Sequence, residues 1–218
     1  MKILKDCPLF ADIAEDDLKA LLDCLSAVRA EFEKGGFMVE AGEPATRVGV
    51  ITEGSAHVIQ EDYWGNRTIL ALIRPGELFG EALAGAGLAK SPVSVVAAEK
   101  TGVLLIDLAR LVTTCSSACV FHAGLIKNLL RILARKNISL IRKIEQVTRR
   151  TTREKLLAYL SAQAQAAESS TFEIAFNRQE LADYLAVDRS ALSAELSKMS
   201  REGLLRYDRN RFTIVKER

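Results

Sequence analysis

Apolar and polar positions along the chain change period twice, and each change marks a different kind of structure. Near the start, Leu18, Leu21, Leu22 and Leu25 recur at helical spacing, which predicts an amphipathic helix from Glu15 to Ala27. From Val28 to Asp107 the period shortens to that of strands. Segments such as Val48 to Thr52, Ala56 to Gln60, Thr68 to Ile73, Val93 to Ala97 and Val103 to Ile106 are punctuated by Gly35-Gly36, Gly42, Gly54, Gly65-Asn66 and Pro75-Gly76. Short strands with glycine turns at regular spacing predict a β jelly-roll barrel or sandwich. Tyr63-Trp64-Gly65-Asn66 reads as a hairpin tip, because glycine and asparagine tolerate positive φ.

The period then lengthens again. A helix from Ser117 to Val147 contains no proline, and Ile126, Leu133, Leu140 and Val147 recur every seven positions, with Leu129, Leu130 and Ile144 widening the stripe. That is the pattern of a coiled-coil seam. A helix of about 30 residues is roughly 45 Å long, more than one small domain covers, so the stripe is expected to meet a second copy of the chain. The alternative is that the stripe packs only on its own barrel.

Beyond a hinge at Arg149-Arg150-Thr151-Thr152, with Thr152 read as the N-cap, a helix from Arg153 to Gln165 is followed by a polar loop and a strand from Phe172 to Phe176. Asn177 to Leu205 then resolves into two helices joined by Ala186-Val187-Asp188. Asn177 caps the first, whose buried face is Leu181, Ala182 and Leu185, and Asp188 caps the second, held by Leu192, Leu196 and Met199. What remains facing outward is Arg189, Ser190, Ser193, Ala194 and Ser197. A short, small, polar surface led by an arginine suits a helix lying in a DNA major groove. Two strands, Leu204 to Tyr207 and Arg211 to Val215, flank Asp208-Arg209-Asn210 and complete a winged helix, with Arg206, Arg209 and Arg211 placed to meet phosphates.

Charge sharpens this division. Residues 1–125 carry 11 Lys/Arg against 17 Asp/Glu, whereas residues 126–218 carry 19 against 11, so an overall net charge of +2 hides an acidic N-terminal half and a basic C-terminal half. Only the second is suited to a polyanion. No run is long and apolar enough to span a bilayer and the first residues lack a signal-peptide core, so a cytoplasmic protein with no membrane partner is expected. The four cysteines, Cys7, Cys24, Cys115 and Cys119, are then expected to be thiols. No nucleophile elbow, Walker loop or metalloprotease motif is present, and one barrel histidine cannot furnish a cupin-type metal set, which argues against an enzyme.

These motifs together resemble the Crp/Fnr family of bacterial transcription regulators, and the resemblance runs essentially end to end. Gly54-Ser55-Ala56-His57-Val58 and Arg74-Pro75-Gly76-Glu77-Leu78-Phe79-Gly80-Glu81 match the family's cyclic-nucleotide-binding-type barrel. The implied fold class is α+β: an effector-sensing barrel over residues 1–115, a dimerisation helix over 116–148 and a winged helix-turn-helix over 149–218. Implied partners are palindromic double-stranded DNA, a second copy of the chain, a small-molecule effector and RNA polymerase, the last by way of the loop Gln165 to Thr171. Arg189 falls on the family's guanine-reading arginine, while Ser190 and Ala194 replace the glutamate and second arginine of the cyclic-AMP-responsive members, which implies a different operator. Ser193, Ser197, Arg178, Arg209 and Arg211 complete the expected DNA contacts.

On the sensing side the resemblance implies that Gly80-Glu81 opens a phosphate cassette in which the glutamate takes a ribose hydroxyl. The arginine that would hold a cyclic phosphate is replaced by Ser91, followed by Pro92, which removes a cation and a backbone donor and argues against cyclic AMP. Lys136 and Asn137 stand where cyclic-AMP-binding members carry adjacent hydroxyl residues. With Gly80, Glu81, Ser91 and Val93 they form the expected effector site, and an acidic or hydrogen-bonding small molecule suits the pair. Cys115 and Cys119, four apart, leave open a redox or metal-dependent sensor against plain burial, and His57 and His122 leave open a haem ligand against a structural role. A bare cyclic-nucleotide-binding module is the remaining alternative, and no cofactor is identified by these residues.

Overall fold

The computed structural model describes residues 2–113 and 120–215. Cys115, Cys119 and the expected first turn of the long helix at Ser117 lie outside the described residues, as does the side chain of His122. Two compact units divide the chain, Met1–Asn137 and Ile138–Arg218.

The first unit opens with α1 (Lys2–Lys5), a 3-10 turn at Pro8–Phe10 and α2 (Glu15–Cys24). The strands follow as β1 (Val28–Phe32), β2 (Phe37–Val39), β3 (Arg47–Glu53), β4 (Ala56–Glu61), β5 (Arg67–Ile73) and β6 (Leu78–Phe79). After the short helix α3 (Glu81–Gly85) come β7 (Ser94–Ala97) and β8 (Thr101–Asp107), then α4 (Leu108–Val112) and the long helix α5 (Val120–Val147).

Two antiparallel four-stranded sheets, β1-β8-β3-β6 and β2-β7-β4-β5, are built from these strands. Strand alternation sorts the core into two layers. Val48 and Val50 of β3, with Leu104 and Ile106 of β8, face the helices and bury Leu18 and Leu21 of α2, Leu25 just after it, and Leu125, Leu129 and Ile132 of α5. Their neighbours Ile51 and Val103 point the other way and meet Ala56, Ile73 and Val95 of the second sheet. A fully buried leucine or isoleucine contributes about 1.5–3 kcal/mol, so the helix-facing layer is what holds the first part of α5 to the barrel. Gly49 is required here, because a Cβ built on it would lie 2.0 Å from the Phe79 ring.

The long helix divides its apolar residues between two faces. Leu125, Leu129 and Ile132 are buried on the barrel with Phe121 and Leu133 partly buried beside them, and Asn128 donates from Nδ2 to the carbonyls of Leu9 (3.2 Å) and Ala11 (3.0 Å). A second set, Leu130, Ile138, Leu140, Ile141 and Ile144, is exposed, Leu130 to 63% and Ile144 to 57%. The seven-residue row read from the sequence is therefore split, with Leu133 serving its own unit and Leu140 facing outward. Intramolecular packing claimed part of the stripe.

The second unit holds the end of α5, then α6 (Thr152–Ala166), β9 (Thr171–Glu173), α7 (Arg178–Leu185), α8 (Arg189–Arg201), β10 (Leu205–Asp208) and β11 (Arg211–Ile214). The three strands form a sheet of order β10-β11-β9. Thr151, not Thr152, caps α6: its hydroxyl accepts from the Glu154 N–H while the Glu154 carboxylate accepts from the Thr151 N–H, a reciprocal capping box. Among the described residues no helix is long and apolar enough to cross a membrane.

Candidate functional site

In the second unit, local hydrogen bonds fix both helices of the helix-turn-helix. Asn177 Oδ1 accepts from the N–H groups of Gln179 (2.9 Å) and Glu180 (3.0 Å), and Glu180 returns a carboxylate to the Asn177 N–H at 2.8 Å. The helix ends at Ala186, which adopts a left-handed conformation with φ 50°. Lys155 Nζ donates to the otherwise terminal carbonyls of Leu185 (3.2 Å) and Ala186 (3.1 Å), which places a cation where the α7 dipole is negative. Asp188 then caps α8 by accepting from the N–H groups of Ser190 (2.7 Å) and Ala191 (3.1 Å) and from the Ser190 hydroxyl. The Ser190 hydroxyl, more than the two backbone donors, holds the Asp188 carboxyl below its ordinary range.

Leu192, Leu196 and Met199 bury the inner face of α8, which leaves Arg189, Ser190, Ser193, Ala194 and Ser197 exposed along the outer one. Not every hydroxyl on that face is turned outward. Ser190 is engaged with Asp188, and Ser197 Oγ donates to the Ser193 carbonyl at 2.9 Å. Arg189 and the Ser193 hydroxyl make no hydrogen bond to any described residue, and they are the groups best able to take a new partner. The helix is set against α6 by Arg153, whose guanidinium bridges Glu195 at 3.2 Å and Glu202.

The wing carries the remaining cations. Arg209 sits at the β10–β11 turn with φ 50°, and Arg206, Arg209 and Arg211 are exposed. Arg178, at the first position of α7, lays its guanidinium over the rings of Tyr207 (4.9 Å) and Phe212 (5.2 Å). Asn210 stitches the turn to the approach to α7, donating from Nδ2 to the Ile174 carbonyl at 3.2 Å and accepting the Ile174 N–H at 2.9 Å. Between them lies a cavity of about 440 Å³ lined in part by Asn177, Arg178, Arg209 and Asn210. The Arg178 and Arg209 guanidinium groups line this corner with the Glu180 carboxylate beside them, while the N–H groups of Asn177, Gln179 and Glu180 are already engaged in the cap.

In the first unit the structure brings together two of the residues expected to bind an effector. Gly80 has φ +79°, and a Cβ there would lie 2.7 Å from the Arg47 carbonyl oxygen, so the turn into α3 admits glycine alone. Glu81 follows with its side chain only 4% exposed, and its Oε1 accepts from Lys136 Nζ of α5 at 2.8 Å. The same ammonium donates to the Leu78 carbonyl at 2.6 Å. Glu81 Oε2 is buried and has no hydrogen-bond partner among the described residues. Ser91 is buried too, but its hydroxyl is tied to its own segment, donating to the Val93 carbonyl at 2.6 Å. Asn137 is exposed.

The residues considered for redox, metal or haem sensing are placed as follows. Cys7 is fully buried in the helical layer of the core, and burial pushes its thiol pKa up, away from the thiolate. Cys24 is exposed and His57 is buried within β4. Among the described residues no group of three or more His, Cys, Asp or Glu is arranged to hold a metal ion.

Two family models match the chain, a cyclic nucleotide-binding domain over residues 29–118 and a Crp-like helix-turn-helix domain over residues 154–218. The chain belongs to the Crp/Fnr family of transcription regulators. Among its Crp/Fnr relatives, the transcriptional regulatory protein btr of Bordetella pertussis is 26% identical over 199 residues, covering 89% of this chain and 80% of the relative. Solved structures share the fold. The global regulator CLP of Xanthomonas campestris, described as c-di-GMP responsive, superposes with a TM-score of 0.77 at 17% identity, covering 94% of this chain and all of that one. FixK2 of Bradyrhizobium japonicum gives 0.69 at 19% identity over 87% and 93%. The matched relatives are regulators, not enzymes.

Several residues that organise this Crp/Fnr chain carry no local sequence signal. Arg153 meets Glu195 and Glu202 across more than forty positions, and Lys155 reaches the end of α7 thirty positions on. Lys136 and Glu81 are 55 positions apart. The Thr151–Glu154 cap, by contrast, was available as a T-x-x-E spacing.

Proposed function

We propose that the chain acts as a homodimeric, sequence-specific DNA-binding regulator of transcription in the cytoplasm, divided into a sensing barrel (1–115), a dimerisation helix (116–148) and a DNA-binding domain (149–218). The observation that carries this reading is the outer face of α8, a capped helix that presents Arg189 together with Ser190, Ser193, Ala194 and Ser197. The Arg189 guanidinium offers a fork for the O6 and N7 acceptors of guanine, and Ser193 a hydroxyl for a neighbouring base edge. Ser190 and Ser197, engaged with their own helix, pack beside the groove. Arg178, Arg209 and Arg211 meet the phosphate backbone, which fixes register without reading sequence.

The exposed apolar residues of α5 form the dimer seam, so that two copies of α8 enter successive major grooves about 34 Å apart on a palindrome. A small effector other than cyclic AMP acts where the barrel meets α5, around Gly80, Glu81, Ser91, Val93, Lys136 and Asn137. Ser91 supports the exclusion, since it supplies no cation for a cyclic phosphate and its hydroxyl is already engaged. RNA polymerase is a further partner, through the loop Gln165 to Thr171.

Selection from a random duplex pool by the purified chain tests the reading. A palindromic consensus is expected. Arg189→Ala should weaken binding to it by about 1–3 kcal/mol and relax preference at one base pair of each half-site, with binding to unrelated DNA little changed. An Arg189→Ala protein that selects the same consensus with the same affinity overturns the proposal.

A further inference from the structure

The cassette turn of the barrel is already occupied by the chain itself. Glu81, 4% exposed, receives the Lys136 ammonium at 2.8 Å, and that ammonium is shared with the Leu78 carbonyl at 2.6 Å. One side chain of α5 is thereby bonded to both ends of the Leu78–Glu81 turn. Ser91, where the phosphate-holding group would stand, is closed on Val93. Glu81 Oε1 and the Ser91 hydroxyl are therefore both engaged from within.

We infer that Lys136 is a built-in substitute for a ligand at Glu81: it clamps the barrel turn to the long helix, so the DNA-binding state forms with no small molecule present. This rests on the DNA-binding reading above. It also sets what an effector at this place must be. An acid would have to compete with Glu81 for Lys136, which already pairs with it. Drawing the lysine away would strand a buried carboxylate, which is strongly unfavourable. The group left without a partner is Glu81 Oε2, an acceptor. An effector of the cassette therefore carries N–H or O–H donors, as an organic amine or guanidine does, and it works by displacing Lys136 and releasing the clamp. Ligand binding lowers DNA affinity.

The test uses the full chain and the consensus duplex it selects. Wild-type protein is unfolded in urea, freed of small molecules by gel filtration and refolded. It should bind the consensus as tightly as before stripping. Lys136→Met should lose about tenfold or more in affinity, and Lys136→Arg, which keeps the charge, should restore most of it. Lys136→Met leaves a buried carboxylate without its cation, so Lys136→Met/Glu81→Leu, which removes both charges, serves as the second variant. It should fold, as judged by its melting curve, and show the same loss. Stripped wild-type protein that binds only after a small-molecule fraction of cell extract is added back overturns the inference. Binding by both Met variants equal to wild type does so as well, and makes the pair purely structural. If the wild-type chain selects no consensus at all, the proposed function fails instead.

Discussion

The ammonium of Lys143 stands 3.9 Å from the centre of the Tyr184 ring. It joins the end of α5 to α7 within the second unit, and Lys143 is only 9% exposed. Tyr184 in turn packs against Phe176 (4.9 Å between centroids) and Tyr159 (5.5 Å), so the cation rests on an aromatic cluster. Burial draws the lysine pKa from 10.5 down to about 8, while the negative face of the ring offsets part of that cost. Below pH 8 the lysine is charged in both states and the desolvation cost is felt in full. Between pH 8 and 10.5 the folded chain has released the proton that the unfolded chain still holds, so this group's contribution to stability rises with pH. Lys143→Met should stabilise the second unit at pH 7 by up to ~3 kcal/mol and flatten that rise, read by urea unfolding across the range. A Met variant less stable than wild type at pH 7 would show that the native contacts of Lys143 outweigh burial.

Arg209 and Arg211 should behave differently from Arg189. Replacing either by alanine is expected to weaken binding to every duplex alike and to reduce the slope of log K against log salt by about 1. Fluorescence anisotropy titrations from low to moderate salt check this. A change in preferred sequence, with the slope unaltered, would place these side chains at base edges instead. Arg178→Ala should go further and loosen the wing, because its guanidinium also covers Tyr207 and Phe212.

Ile141 and Ile144 are more than half exposed on α5, and neither is in the core of its own unit. Ile141→Asp/Ile144→Asp should therefore leave the fold intact but convert a dimer into a monomer in sedimentation velocity, with affinity for the palindrome falling toward that of a half-site. A wild-type chain that is already monomeric at micromolar concentration would remove the seam from the account.

The barrel strands are legible as short apolar runs closed by glycine turns: with helices on one face and a second sheet on the other, β3 is buried without a break over residues 48–51. The helix-turn-helix was legible for a similar reason: Asn177 and Asp188 cap through their own neighbours, within three positions. The split seam was not. A seven-residue row shows which residues are apolar, and it cannot show that Leu125, Leu129 and Ile132 owe their character to the barrel. The β9 strand also ends earlier than its apolar run, at Glu173, because Ile174 bonds to Asn210 in the wing turn and Asn177 must be brought round to start α7. The sequence presents Lys136 only as an expected ligand contact. That its partner is Glu81 of the same chain depends on how α5 crosses the barrel, which no local pattern encodes.

The Asp188 cap and the buried row Leu192, Leu196 and Met199 secure α8 without help from the side chains of Arg189, Ser193 or Ala194. Foldability and address are thus written in separate letters of the same helix. Ser193 and Ala194 can be exchanged for larger or differently polar side chains at little cost to the domain, so a lineage carrying this scaffold can move to new promoters by single substitutions. The same independence makes those two positions the natural place to begin retargeting the protein by library selection.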